Sequence, residues 1–122
     1  MRTLILIKPD ITASHRVGEV ISAIEAVVAS ISQIRMFQPS LQMAREHYQE
    51  HKDKDFFNPL CEFLSSGKVV ALIIEGDASI VTRIRNNLPV WRTRFGTDVR
   101  RNALHASDSP SNAEREITLW FS

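Results

Sequence analysis

Two short, unbroken apolar runs decide much of what this chain can become. Thr3-Leu4-Ile5-Leu6-Ile7 and Val69 through Ile74 are rich in β-branched residues, and each reads as a buried central strand. Pro9 closes the first run, so Lys8 is expected to emerge at a sheet edge or cleft. From Val17 onward, Val20, Ile21, Ile24, Val27, Val28 and Ile31 follow helical spacing, with Glu19, Ser22 and Glu25 on the other face. That pattern predicts an amphipathic helix laid on the sheet. Ile34 and Met36 then alternate with Gln33, Arg35 and Gln38, which predicts a half-buried strand ended by Pro39-Ser40.

Ser40 is placed to cap a helix running through Tyr48, and Pro59 suits the first turn of another that reaches about Ser66, with Gly67 as its stop. These two helices form a hairpin outside the sheet. Ala78 to Leu88 carries Ile80, Val81, Ile84 and Leu88 at helix spacing, predicting a second covering helix. Asp108-Ser109-Pro110-Ser111 precedes Glu114 in a capping-box pattern, so His105 lies just upstream of a helix N-terminus. The order matches an α+β, ferredoxin-like βαββαβ core with an antiparallel four-stranded sheet, helices over one face and an inserted helical hairpin.

At 122 residues and 43% hydrophobic content the chain builds one core, and residues 1–122 are read as one domain. A net charge of +1 gives no reason to expect a nucleic-acid or membrane partner. Cys61 is the only cysteine, so it makes no intrachain disulfide and is read as a packed thiol. The N-terminus has too few apolar residues for a signal peptide, and no stretch approaches the roughly 20 apolar residues of a membrane span. A cytoplasmic protein is expected.

Charge is unevenly spread. Between Arg83 and Arg101 lie six arginines, Arg83, Arg85, Arg92, Arg94, Arg100 and Arg101, against the single acidic Asp98. Such a cluster suits phosphate oxygens, although a solvated basic face gives the same pattern. The interleaved Trp91 and Phe95 also permit a single-stranded nucleic-acid surface, with rings stacked on bases. No His/Cys cluster has zinc-ligand spacing, and Ser66-Gly67-Lys68 lacks the upstream glycines of a P-loop. No residue is therefore assigned to a metal.

Several segments, taken together, carry a resemblance. Thr3 to Asp10, Glu46-His47-Tyr48, Phe56-Phe57, Ser66-Gly67, Glu75-Gly76, Arg101 to Ser109 and Ala113 to Ile117 resemble the nucleoside diphosphate kinases, in family order along nearly the whole chain. His105-Ala106-Ser107-Asp108 is the most specific of them, because that family places its phosphate-accepting histidine in a His-(Gly/Ala)-Ser-Asp sequence.

The resemblance implies that His105 takes the γ-phosphoryl group of a nucleoside triphosphate and passes it to a nucleoside diphosphate, in ping-pong fashion. It implies that Glu116, supported by Ser107, orients the ring, that Lys8 meets the terminal phosphate and sugar hydroxyl, and that Tyr48 approaches the γ-phosphate. Asn102 would bind the ribose, Phe56 stack on the base with Leu60 beside it, and Arg85 and Arg92 hold phosphates. Mg²⁺ would arrive with the nucleotide, and a homo-oligomer built from dimers, joined through the sheet and first helix, is expected.

The departures fall between Glu75-Gly76 and Asn102, where a long family loop is much shortened. Arg83 is the alternative to Arg85 if the helix register slips. The family's phosphate-contacting threonine has no secure counterpart, since Thr93 stands too close to Arg92. Ile11 and Ser14 replace a glycine and an arginine frequent after Lys-Pro-Asp.

Overall fold

The computed structural model describes residues 1–28 and 30–122. β1 (Arg2–Ile7) leads into a short helix α1 (Pro9–Ala13), then α2 (Val17–Glu25) and β2 (Ser30–Phe37). α3 (Leu41–His47), a 3₁₀ turn (Gln49–His51) and α4 (Phe57–Leu64) precede β3 (Val69–Glu75). α5 (Ile80–Phe95), β4 (Leu104–Ala106) and α6 (Pro110–Trp120) complete the chain. The strands lie in the order β2-β3-β1-β4, each neighbouring pair antiparallel. β3 thus separates β1 from β2 and β1 separates β3 from β4, the split β-α-β arrangement of a ferredoxin-like sheet.

Helices cover both faces of the sheet rather than one. Ile5, Ile7, Val70, Leu72 and Ile74 pack against Val20 and Ile24 of α2 and against Ile80, Ile84 and Leu88 of α5. Leu4, Leu6, Val69, Ala71 and Ile73 point the other way, onto Ala44, Cys61, Leu64, Ile117 and Trp120. The unbroken apolar runs have this cause: a strand buried on both sides has no polar face to alternate with. The helical hairpin and α6 supply the second cover.

Two element boundaries, and the burial of one strand, differ from those expected. α2 stops at Glu25, and Ile31 pairs with Ile74 in β2; its helical spacing from Ile24 is coincidental, in a β-branched run that favours strand. β2 is one of the two edge strands and is largely exposed, Ile34 at 57% and Met36 at 51%, because only Ile31 and Phe37 reach the covering layers. α5 runs through Pro89 to Phe95. A proline inside a helix costs about 3 kcal/mol. Burying Trp91 and Phe95, each worth about 1.5–3 kcal/mol, offsets it.

The caps hold with one change. Ser40 Oγ accepts the Met43 N–H at 3.0 Å, and Ser109 Oγ accepts the Asn112 N–H at 3.2 Å with Pro110 at the first helical position. Glu114 takes no part in capping; its carboxylate pairs with Arg2 at 3.0 Å. None of the described helices is long and apolar enough to cross a membrane.

Candidate active site

The chain bends sharply where β1 meets the segment before β4. Lys8 caps α1, which Pro9 starts, and its N–H donates to Ala103 O at 2.8 Å. Asp10 Oδ2 accepts the Ala103 N–H at 3.0 Å. Held from both sides, Ala103 adopts a left-handed φ of 76°, a conformation that costs a residue with a Cβ about 1–2 kcal/mol. The bend brings Asn102 Oδ1 to 2.9 Å from Lys8 Nζ and starts β4 in register, with His105 opposite Leu6. His105 therefore stands on the α3–α4–α6 face, at the wall of an open cavity of about 1230 Å³.

Behind His105 is a buried carboxylate. Its Nε2 lies 3.0 and 3.1 Å from the two oxygens of Glu116, which is fully buried. Ser107 Oγ donates to Glu116 Oε1 at 2.6 Å, and Asn112 Nδ2 donates to Oε2 at 3.4 Å. Burial pushes the Glu116 carboxyl up, while His47 and the Ser107 hydroxyl pull it down. Burial, then Lys8, Arg92 and Arg85, push the His105 imidazole down to about 3. A carboxylate acceptor assigns the ring proton to Nε2. With that nitrogen committed, Nδ1 of a neutral ring is left for chemistry.

The cavity around it is cationic. Lys8 is 4% exposed, and burial followed by Arg92 lowers its ammonium to about 8. Arg85 donates to Ala106 O at 3.3 Å, and Arg92 donates to Leu104 O through Nε at 3.3 Å and Nη2 at 3.1 Å. Both guanidiniums are thus fixed to β4 by carbonyls, and burial, then the neighbouring Arg85, lower Arg92 from its ordinary value. Burial raises the Tyr48 phenol, which stays protonated and able to donate. Phe56, 47% exposed, and Leu60 form the apolar wall.

The structure brings together nearly every residue singled out in the sequence. Lys8, Tyr48, Phe56, Leu60, Arg85, Arg92, Asn102 and His105 line one cavity, and Ser107 and Glu116 lie behind His105. Arg83 does not line it; its Nη2 is 3.3 Å from Asp77. Arg94 lies over the Phe95 ring, whereas Arg100 and Arg101 also line the cavity, Arg101 paired with Asp98 at 2.7 Å. Trp91 and Phe95, at 4% and 3% exposure, are core residues with no face for a base. Thr93 is exposed and lies outside the cavity.

Sequence reasoning missed three contributors. Asp10 shapes the Ala103 bend, and Arg115 ties α6 to α3 through the Glu46 and His47 carbonyls, each at 3.0 Å. His47 lies against His105. The one available signal was the helical spacing of His47 from Ala44, on the buried face of α3.

A family model described as nucleoside diphosphate kinase matches residues 1–122. The nucleoside diphosphate kinase of Nocardia farcinica is 42% identical over 130 residues, covering 98% of this chain and 94% of the relative. That of Archaeoglobus fulgidus is also 42% identical over 130 residues, covering 99% and 86%. Among solved structures, the Aquifex aeolicus nucleoside diphosphate kinase superposes with a TM-score of 0.89 at 36% identity, covering 99% of this chain and 94% of that one. A nucleoside diphosphate kinase family protein from Babesia bovis gives 0.89 at 35% identity, covering 99% and 88%.

Proposed function

The chain belongs to the nucleoside diphosphate kinase family, and from that premise we infer that it moves the γ-phosphoryl group of a nucleoside triphosphate to a nucleoside diphosphate through phosphorylated His105. The carrying observation is an imidazole at the cavity wall whose Nε2 is held by a buried carboxylate while Lys8, Arg85 and Arg92 surround it.

His105 Nδ1 attacks the γ-phosphorus in line, the diphosphate leaves, and the phosphoryl group stays on Nδ1 until a second diphosphate takes it. As the N–P bond forms, positive charge grows on the ring, and Glu116 stabilises it through the Nε2 proton. Ser107 holds the carboxylate. Lys8, Arg85, Arg92 and the Tyr48 hydroxyl meet the negative charge of the phosphates, so positioning and electrostatics do most of the work. Asn102 and Lys8 take the sugar hydroxyls, and Phe56 stacks on the base with Leu60 at its edge. Stacking accepts any base, so broad nucleotide use follows.

Mg²⁺ arriving with the nucleotide would supply further charge neutralisation. Among the described residues, the one cluster with metal-ligand proximity is His47, His105 and Glu116. Two imidazoles and one carboxylate do not suit a cation that takes oxygen ligands, whereas the Asp108 carboxylate at the cavity wall suits a link through water. Dimers joined through β2 and α2 are supported by the exposed Ile34 and Met36.

Transfer of labelled γ-phosphate to the protein, then onward to an unlabelled diphosphate of another base, tests this reading. His105→Ala should abolish both transfers while nucleotide still binds. Acid-labile phosphate appearing on the His105→Ala protein would name another acceptor.

A further inference from the structure

His47 is a buried histidine, 1% exposed, that the mechanism above leaves without a task. Its Nδ1 accepts the indole N–H of Trp120 at 3.0 Å. Because Nδ1 uses its lone pair as an acceptor, the neutral ring carries its proton on Nε2. That Nε2 is buried and has no hydrogen-bond partner. A buried N–H left unpaired costs about 1–3 kcal/mol, so its placement calls for a reason.

The reason lies in what the ring touches. His47 and His105 meet nearly at right angles, with an interplanar angle of 80° and centroids 4.5 Å apart. On its other sides His47 packs against Tyr48, at a centroid distance of 4.7 Å, and Trp120, at 5.6 Å. The Arg115 guanidinium holds the His47 carbonyl. Glu116 fixes one edge of His105, and β4 fixes its backbone, but a single edge contact leaves the ring free to tilt about that hydrogen bond. His47 removes that freedom.

The same atoms exclude a different use. One nitrogen of each histidine and one Glu116 oxygen lie within 4.8 Å of one another. A metal there would need lone pairs, yet Nε2 of both rings carries a proton: on His47 because Trp120 occupies Nδ1, on His105 because Glu116 accepts. The cluster is a set of locked tautomers and not a metal centre.

We propose that His47, fixed in its Nε2–H tautomer by Trp120, is a positioning residue whose neutral ring sets the tilt of the His105 imidazole for in-line attack. This rests on His105 being the phosphate acceptor. The groups facing His47 are His105 from β4, Glu116 and Arg115 from α6, Lys8 beyond β1, and Tyr48 beside it. Burial and then His105 hold its imidazole well below the ordinary histidine range, in keeping with a ring that stays neutral.

Two substitutions separate positioning from packing. His47→Phe keeps a ring against His105 but leaves the Trp120 N–H unpaired; His47→Asn keeps an acceptor for Trp120 but removes the ring. His47→Asn should slow single-turnover phosphorylation of His105 roughly 10- to 100-fold at unchanged nucleotide affinity, the range for groups that orient a reacting one. His47→Phe should have the lower Tm yet phosphorylate faster than His47→Asn. Two-bond ¹H–¹⁵N spectra of the wild-type protein should show His47 neutral and protonated at Nε2 from pH 5 to pH 9. Rates that follow Tm across the two variants, wild-type phosphorylation in His47→Asn, or a proton on Nδ1 of His47 would each overturn the proposal. The nitrogen spectra need no phosphoryl transfer, so an error in assigning His105 as acceptor, read from His105→Ala, is distinguishable from an error about His47.

Discussion

Replacing Glu116 by glutamine changes one charge and almost no volume at a fully buried position, which isolates what the carboxylate does for His105. The carboxylate accepts from His105 Nε2, the Ser107 hydroxyl at 2.6 Å and the Asn112 amide at 3.4 Å. Glutamine offers one oxygen where there were two. If that oxygen faces His105, the tautomer survives, and the loss is a charge-assisted hydrogen bond to a ring gaining positive charge, about 1.5–3 kcal/mol, or roughly 10- to 150-fold in rate. If the amide NH₂ faces His105, Nε2 must accept, the proton moves to Nδ1 and the nucleophile is blocked; an inverted tautomer elsewhere costs about 10⁴-fold. The expected fall in phosphorylation rate therefore lies between these limits. Nucleotide affinity should hardly change, because Glu116 lies behind the cavity wall. Rapid-quench single-turnover phosphorylation with labelled triphosphate, alongside equilibrium nucleotide binding, measures both. Stability should fall by about 1–3 kcal/mol, since a buried donor loses its acceptor and Arg115, 3.8 Å from the carboxylate, loses its counter-charge. A Glu116→Gln protein that phosphorylates within about threefold of wild type, below the smaller limit, would refute the orienting role.

Arg85→Ala and Arg92→Ala should each cost about 2–4 kcal/mol in kcat/KM, the effect of losing one preorganised cation, whereas Arg83→Ala should change it little, because its partner is the exposed Asp77; steady-state kinetics decide, and a crippled Arg83→Ala enzyme would reverse the assignment. Lys8 is lowered to about 8 by burial and Arg92, so raising the pH through 8 removes a phosphate-binding charge and kcat/KM should decline; Lys8→Arg should remove that alkaline limb, since guanidinium stays charged. A Cβ at Gly96 would lie 2.6 Å from Arg92 O and 2.9 Å from Asn102 Cα, so Gly96→Ala should lower stability by about 1–3 kcal/mol in urea unfolding and raise KM by displacing Asn102. An unaltered urea midpoint would show that this close approach relaxes freely.

Much of this molecule was legible because its signals are local. The β-branched runs, the Ser40 and Ser109 caps and the His105-Ala106-Ser107-Asp108 segment all act within a few residues of themselves. What was misread depends on partners distant in sequence. The second helical layer is invisible until α3, α4 and α6 are known to bury Leu4 and Leu6. Ile34 and Met36 alternate as a half-buried strand would, yet their outcome depends on β2 lying at the sheet edge. The basic segment also permitted a nucleic-acid surface until α5 carried Trp91 and Phe95 inward and aimed Arg85 and Arg92 at β4. His47 has no sequence signal beyond burial, because its significance comes from Trp120 and His105 together.

The placement of β4 beside β1 has a consequence for synthesis. The sheet's first three strands and the cations Lys8, Arg85 and Arg92 all precede Asn102, so a chain emerging from the ribosome holds the phosphate-binding charges before it holds a nucleophile or the carboxylate that aims it. Domains gain structure as they are made, amino end first. A nascent chain that has extended only through α5 carries those charges without the Leu104 and Ala106 carbonyls that fix Arg92 and Arg85, so the phosphate site and the nucleophile are assembled together, when the last strand and helix dock.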